Sequence, residues 1–166
     1  FVVYGTIVLF VSFLIERLTG NIARFEKTNA QLGRYFSPQI KEEIETSELD
    51  NIGKNAKDLF VAILFTDIVG FTKLSEKMDP KDVLSLLSDY QAIMVDCIFA
   101  HRGTVDKFIG DAVMANFGTP KSAGNDAQNA FNCALEMNLK LQEFNKLRKK
   151  KGLKEIKHRI GIHYGP

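Results

Sequence analysis

The chain has 166 residues, 45% of them hydrophobic and 25% charged, the proportions of a globular domain with its own core, which excludes a disordered tail or a collagen-like fibre. Lysine and arginine number 22 against 20 acidic residues, a net charge of +2; no whole-protein field calls for nucleic acid as a partner, and any anion binding must be local. Cys97, Cys133, His101, His158 and His163 show neither CxxC nor zinc spacing, so the cysteines read as small core residues in a reducing compartment and any metal is expected to be held by oxygen.

Phe1 in place of a methionine, and Gly165-Pro166 directly after a strand-like run, read as cut ends, so a fragment is expected. Phe1 to Ile15 reads FVVYGTIVLFVSFLI, uncharged and mostly large apolar residues. A helix of that length rises only about 22 Å against a hydrocarbon core of about 30 Å, so residues 1–16 are expected to be the end of a transmembrane helix. A signal-peptide core is disfavoured because no small-residue cleavage site follows, and a buried helix because the apolar character runs all round and stops at Glu16 and Arg17. Arg17, Arg24 and Lys27 lie just beyond. The positive-inside rule then places the rest of the chain in the cytoplasm, at a cell inner or plasma membrane.

Val11, Ile15, Leu18, Ile22, Phe25, Asn29, Leu32 and Phe36 are spaced alternately by four and three, the period of a coiled-coil seam. The spacing predicts a helix that pairs with a copy of itself, with Asn29 fixing register; an amphipathic helix packed on its own domain uses a similar pattern. Ser37-Pro38 signals a new helix start, and the polar stretch 45–57 reads as a linker. Residues 17–57 are therefore expected to be a coiled-coil helix and linking segment, with the globular domain over 58–166.

Leu59 to Phe65, LFVAILF, is short, β-prone and apolar on both faces, which predicts a buried central strand. Phe71 to Met78 is a short helix candidate. Asp79-Pro80 offers a cap and first turn for a long helix ending near Ala100, whose apolar set is Val83, Leu84, Leu87, Tyr90, Met94, Cys97 and Ile98. Gly103 to Ile109 and Ala112 to Phe117 read as strands joined by a tight turn at Gly110-Asp111, Asp126 to Leu147 as an amphipathic helix, and Ile156 to Tyr164 as a final strand. The order β-α-α-β-β-α-β predicts an α+β fold with a split βαβ, ferredoxin-like, arrangement.

Asp67 follows the first strand immediately, and Asp111 sits at the tip of a hairpin able to lie beside it. Two carboxylates at strand ends make a hard oxygen site suited to magnesium or manganese. Ile68-Val69-Gly70-Phe71-Thr72 comes next, where Gly70 lets the backbone bend into a helix start, a place that can cradle phosphate. The bland reading makes Asp67 a helix cap and Asp111 a turn residue. Lys107, in an otherwise apolar strand, either needs an acceptor as a buried-edge lysine or snorkels to solvent. The basic run Arg148 to Lys151 reads as a solvated helix end rather than a nucleic-acid patch.

LFTDIVGFTKLSE at 64–76 and GTVDKFIGDAVMANFGTP at 103–120 resemble the two signature segments of class III nucleotidyl cyclases, adenylate type, in the right order and at a familiar separation. The resemblance runs from about Asp58 to Pro166 and includes the closing IGIHYGP; the run around Phe36-Ser37-Pro38 is similar to the segment that joins sensor modules to these enzymes. It implies an adenylate cyclase making 3′,5′-cyclic AMP and pyrophosphate from ATP in signal transduction, by two-metal-ion catalysis with Mg2+ or Mn2+ at a homodimer interface. By this similarity Asp67 and Asp111 are the catalytic metal ligands, joined by the Ile68 carbonyl. Gly70, Phe71, Thr72 and Gly110 contact the nucleotide, and Lys107 reads N1 of adenine, where guanylate cyclases usually carry glutamate.

The family's transition-state asparagine and arginine, and its second purine-reading residue, lie downstream of the equivalent of Pro166. The resemblance therefore implies a catalytic domain truncated at its C-terminus, which by itself folds partly and does not turn over ATP. A guanylate cyclase is the nearest alternative, followed by a non-catalytic membrane-tethered dimerisation and signalling module, against which both aspartates count. A diguanylate cyclase is not matched at FIGDA, and no GxxxxGK[ST] loop is present.

Overall fold

A computed structural model describes residues 58–166; the expected membrane end over 1–16 and the coiled coil and linker over 17–57 lie outside the described residues. In chain order the elements are β1 (Val61–Ile68), α1 (Phe71–Ser75), α2 (Pro80–Ala100), β2 (Thr104–Ile109), β3 (Ala112–Phe117), α3 (Asp126–Lys150) and β4 (His158–Gly165). The four strands form one sheet in the order β2-β3-β1-β4, and every neighbouring pair is antiparallel. Since β1 and β2 each run antiparallel to β3, they are parallel to one another with β3 inserted between them. This is the split βαβ expected.

The core follows from strand parity. Ala62, Leu64, Thr66 and Ile68 of β1, and Val113, Ala115 and Phe117 of β3, are buried on the face that receives both long helices. Fully burying side chains such as Leu64, Val113 and Phe117 stabilises the fold by roughly 1.5–3 kcal/mol each. The opposite face does not match the expectation of burial on both sides. Phe65 is 43% exposed there, because both long helices pack on one side of the sheet.

Pro80 occupies the first turn of α2 and Asp79 stands before it with extended backbone, a residue-before-proline conformation. The Asp79 side chain makes no capping bond; its carbonyl instead accepts the N–H groups of Asp82 and Val83. The buried stripe of α2 is Leu86, Tyr90, Met94, Cys97 and Ile98, so Leu86 replaces the expected Leu84, which is 68% exposed. α2 is long and apolar enough to cross a membrane, and its buried stripe joins the core cluster. α3 presents Ala130, Cys133, Ala134, Met137 and Leu141, of which the small Ala130, Cys133 and Ala134 leave room for the neighbouring elements while Met137 and Leu141 fill the core.

The basic end of α3 departs from the expected solvated face. Arg148 is 7% exposed, lies over the Phe144 ring at 5.6 Å and donates from Nε to the Lys154 carbonyl at 2.8 Å. It ties the helix end to the segment leading into β4, while Lys149 to Lys151 remain exposed.

Candidate metal and nucleotide site

Parity sends Asp67 to the exposed face at the end of β1 and turns Ile68 inward. The β1–β4 register sets Arg159 directly opposite Asp67. Arg159 Nε donates to Asp67 Oδ1 at 3.1 Å and Nη2 to Oδ2 at 2.9 Å, the two-pronged geometry in which a guanidinium matches a carboxylate. The Asp67 hydrogen bonds and charge hold Arg159 still further in its protonated form.

The hairpin between β2 and β3 brings in the second carboxylate. Gly110 adopts φ +62°, a left-handed turn that glycine enters without Cβ strain, and its carbonyl accepts Gln91 Nε2–H from α2 at 3.1 Å. Asp111 Oδ2 then accepts the Ile68 backbone N–H at 2.9 Å. Asp67, Ile68 and Asp111 are thus brought together. Gly70, at φ +70°, turns the chain into α1, which is shorter than the expected 71–78 because Lys77 and Met78 bond back to the carbonyls of Leu74 and Ser75, three residues earlier, a tightening that ends the helix. Phe71 packs against the core, and the Thr72 carbonyl accepts from Glu76 N–H and Ser75 Oγ.

Lys107 is on the outer strand of the sheet, and its side chain is 60% exposed, so the buried-edge reading is corrected in favour of solvent. A register irregularity between Val105 and Lys107 inserts Asp106 as an extra residue. Val105 and Phe108 can then both face the core while Asp106 and Lys107 both face outward, the re-aiming expected of a β-bulge. Lys107 pairs with Met114, which pairs with Phe65, so it shares the exposed face with Asp67. Its Nζ lies 3.2 Å from Asp106 Oδ2.

A polar chain behind the site escaped the sequence reading. The Thr66 and Tyr90 hydroxyls are 2.8 Å apart, Tyr90 OH meets His158 Nδ1 at 3.3 Å, and His158 Nε2 meets Asn138 Oδ1 at 3.1 Å. Asn138 Nδ2 donates to the Ala134 carbonyl, leaving Oδ1 as acceptor. His158 therefore carries its proton on Nε2 and accepts at Nδ1. Burial lowers the His158 pKa and keeps the ring neutral. Burial also raises the Tyr90 pKa, an effect offset in part by the Thr66 hydrogen bond and reinforced by the charges of Asp111 and Asp67. In the sequence Tyr90 falls on the apolar stripe of the helix, and nothing local marks its hydroxyl's partners.

Among the described residues no group of three or more His, Cys, Asp or Glu side chains forms a ready metal cage. Two carboxylates flanking a backbone segment nonetheless fit magnesium or manganese, which take one or two carboxylates and complete the shell with water and phosphate oxygens. A groove of about 830 Å³ between α1, α2 and the end of α3 contains none of the expected site residues.

The sequence matches the adenylate and guanylate cyclase catalytic domain over residues 54–166. It is 38% identical over 105 residues, 63% of this chain, to adenylate cyclase 1 of Rhizobium meliloti, and spans 16% of that protein's length. Among solved structures it resembles the adenylyl cyclase CyaB from P. aeruginosa at TM-score 0.62 and 32% identity, covering 64% of this chain and 56% of that one. It also resembles the guanylyl cyclase Cya2 at TM-score 0.63 and 38% identity, covering 67% and 57%.

Proposed function

The chain belongs to the family of adenylate and guanylate cyclase catalytic domains, and on that premise we propose that it is an adenylate cyclase, converting ATP to 3′,5′-cyclic AMP and pyrophosphate. The observation that carries the proposal is the meeting of Asp67 and Asp111 across Ile68, with Lys107 on the same exposed face. When bound, Mg2+ or Mn2+ lowers the pKa of the ribose 3′-hydroxyl and offsets charge on the phosphates. Asp67 and Asp111 hold the cations, with the Ile68 carbonyl as a further donor. Gly70, Phe71, Thr72 and Gly110 border the triphosphate, and Lys107 donates to N1 of adenine. Positioning and charge stabilisation are what such a transfer asks of a protein, and no side-chain nucleophile is required.

The reading extends to a homodimer formed through the catalytic domain and the seam from Val11 to Phe36, with the membrane end over 1–16 holding the protein at a membrane and the catalytic domain cytoplasmic. Fractionation and cross-linking of the complete gene product test these two points. A guanylate cyclase is a second reading, favoured by the likeness to a solved guanylyl cyclase, and side-by-side assays with ATP and GTP separate the two. Presence of both aspartates argues against a non-catalytic module. Loss of cyclic AMP formation in Asp67→Asn and Asp111→Asn supports the proposal, whereas activity retained in both would refute it.

A further inference from the structure

We propose that Arg159 is the resident cation of the carboxylate site, held on Asp67 until a divalent metal displaces it, so that metal loading and release of Arg159 are one exchange. The inference rests on the reading of Asp67 as a metal ligand. Both oxygens of Asp67 are engaged by the guanidinium, so a cation arriving there meets a positive charge already seated on the carboxylate and competes with it. The partner is set by the sheet, since residues 61–68 of β1 pair in unbroken register with 158–165 of β4. Asp111 differs, for its Oδ2 is held by a neutral backbone N–H, which brings no positive charge to compete with a metal.

Three properties make the exchange workable. The Arg159 side chain is 70% exposed, so it can swing into water at little desolvation cost. Guanidinium does not deprotonate in proteins, so it leaves only when another cation outcompetes it. A divalent ion carries twice the charge, and an exposed ion pair of this kind is weak enough to be displaced. Arg159 thereby keeps Asp67 oriented in the metal-free enzyme while reducing its affinity for metal.

The test is Mn2+ binding to the purified full-length protein without nucleotide, read from the electron paramagnetic resonance signal of free Mn2+. Arg159→Gln is expected to bind Mn2+ roughly five- to tenfold more tightly than the parent, from loss of both the pair and the nearby positive charge. Arg159→Lys, which keeps the charge without the fork, is expected to tighten binding about twofold, and it carries the test if the glutamine variant fails to fold. Asp67→Asn is expected to weaken binding. Unchanged or weaker binding in the Arg159 variants, with Asp67→Asn still impaired, overturns the exchange alone. Binding unaffected by Asp67→Asn overturns the metal assignment and the exchange with it.

Discussion

The carboxylate of Asp111 reaches across from the β2–β3 turn to accept the backbone N–H of Ile68 at 2.9 Å, which fastens the hairpin tip to the end of β1. The same side chain is thus a structural acceptor and a proposed metal ligand, and two substitutions separate the roles. Asp111→Asn keeps an acceptor for Ile68 and should unfold within about 0.5 kcal/mol of the parent, whereas Asp111→Ala leaves a buried donor unpaired and should cost about 1–3 kcal/mol. Thermal unfolding measures the difference, and both variants should lose cyclase activity.

Lys107 reaches the exposed face because of the bulge at Asp106. Lys107→Ala removes the proposed donor to adenine without disturbing Val105 or Phe108, and should reduce kcat/KM for ATP about ten- to hundredfold, the loss of one charged hydrogen bond. Unfolding should hardly change, since an exposed pair with Asp106 contributes at most about 1 kcal/mol. Steady-state kinetics with ATP checks this.

Two glycines should respond to alanine for opposite reasons. A Cβ at Gly103 would sit 2.6 Å from Phe117 Cε1 and 2.8 Å from Ile98 Cγ2, so Gly103→Ala forces the core apart and should cost about 1–3 kcal/mol. A Cβ at Gly70 meets nothing within 4 Å, but its φ of +70° costs about 1–2 kcal/mol for a residue with a side chain. The first variant should lose stability with normal activity per folded molecule. The second should also lose activity, because the strain falls beside Asp67.

His158 makes stability depend on pH. Its folded pKa is lowered by burial, so the folded state favours the neutral ring. Its contribution is complete above the unfolded value of about 6.5 and is lost as pH falls from there through the lowered folded value. Melting temperature should therefore drop more steeply below about pH 6.5 in the parent than in His158→Gln. Parallel profiles would contradict the assignment.

Much of the fold was legible in local pattern. Asp79-Pro80 and the three-four spacing behind it mark α2 as Pro80–Ala100, and the turn at Gly110-Asp111 marks off β3 as Ala112–Phe117. What pattern did not reveal depends on register or on a turn of one residue. Arg159 meets Asp67 across 92 residues of sequence, and nothing local to either announces it. Asp106 becomes an extra residue in its strand only because Val105 and Phe108 both seek the core. Arg148 looks like its lysine neighbours in sequence, but the Lys154 carbonyl and the Phe144 ring draw it inward.

The most direct test of the account is cyclase activity of the complete gene product with ATP and GTP side by side, in magnesium and in manganese, alongside Asp67→Ala. The account predicts cyclic AMP from ATP, abolished by the substitution, with little product from GTP. Absence of any cyclic nucleotide, or activity that survives the loss of Asp67, would contradict it.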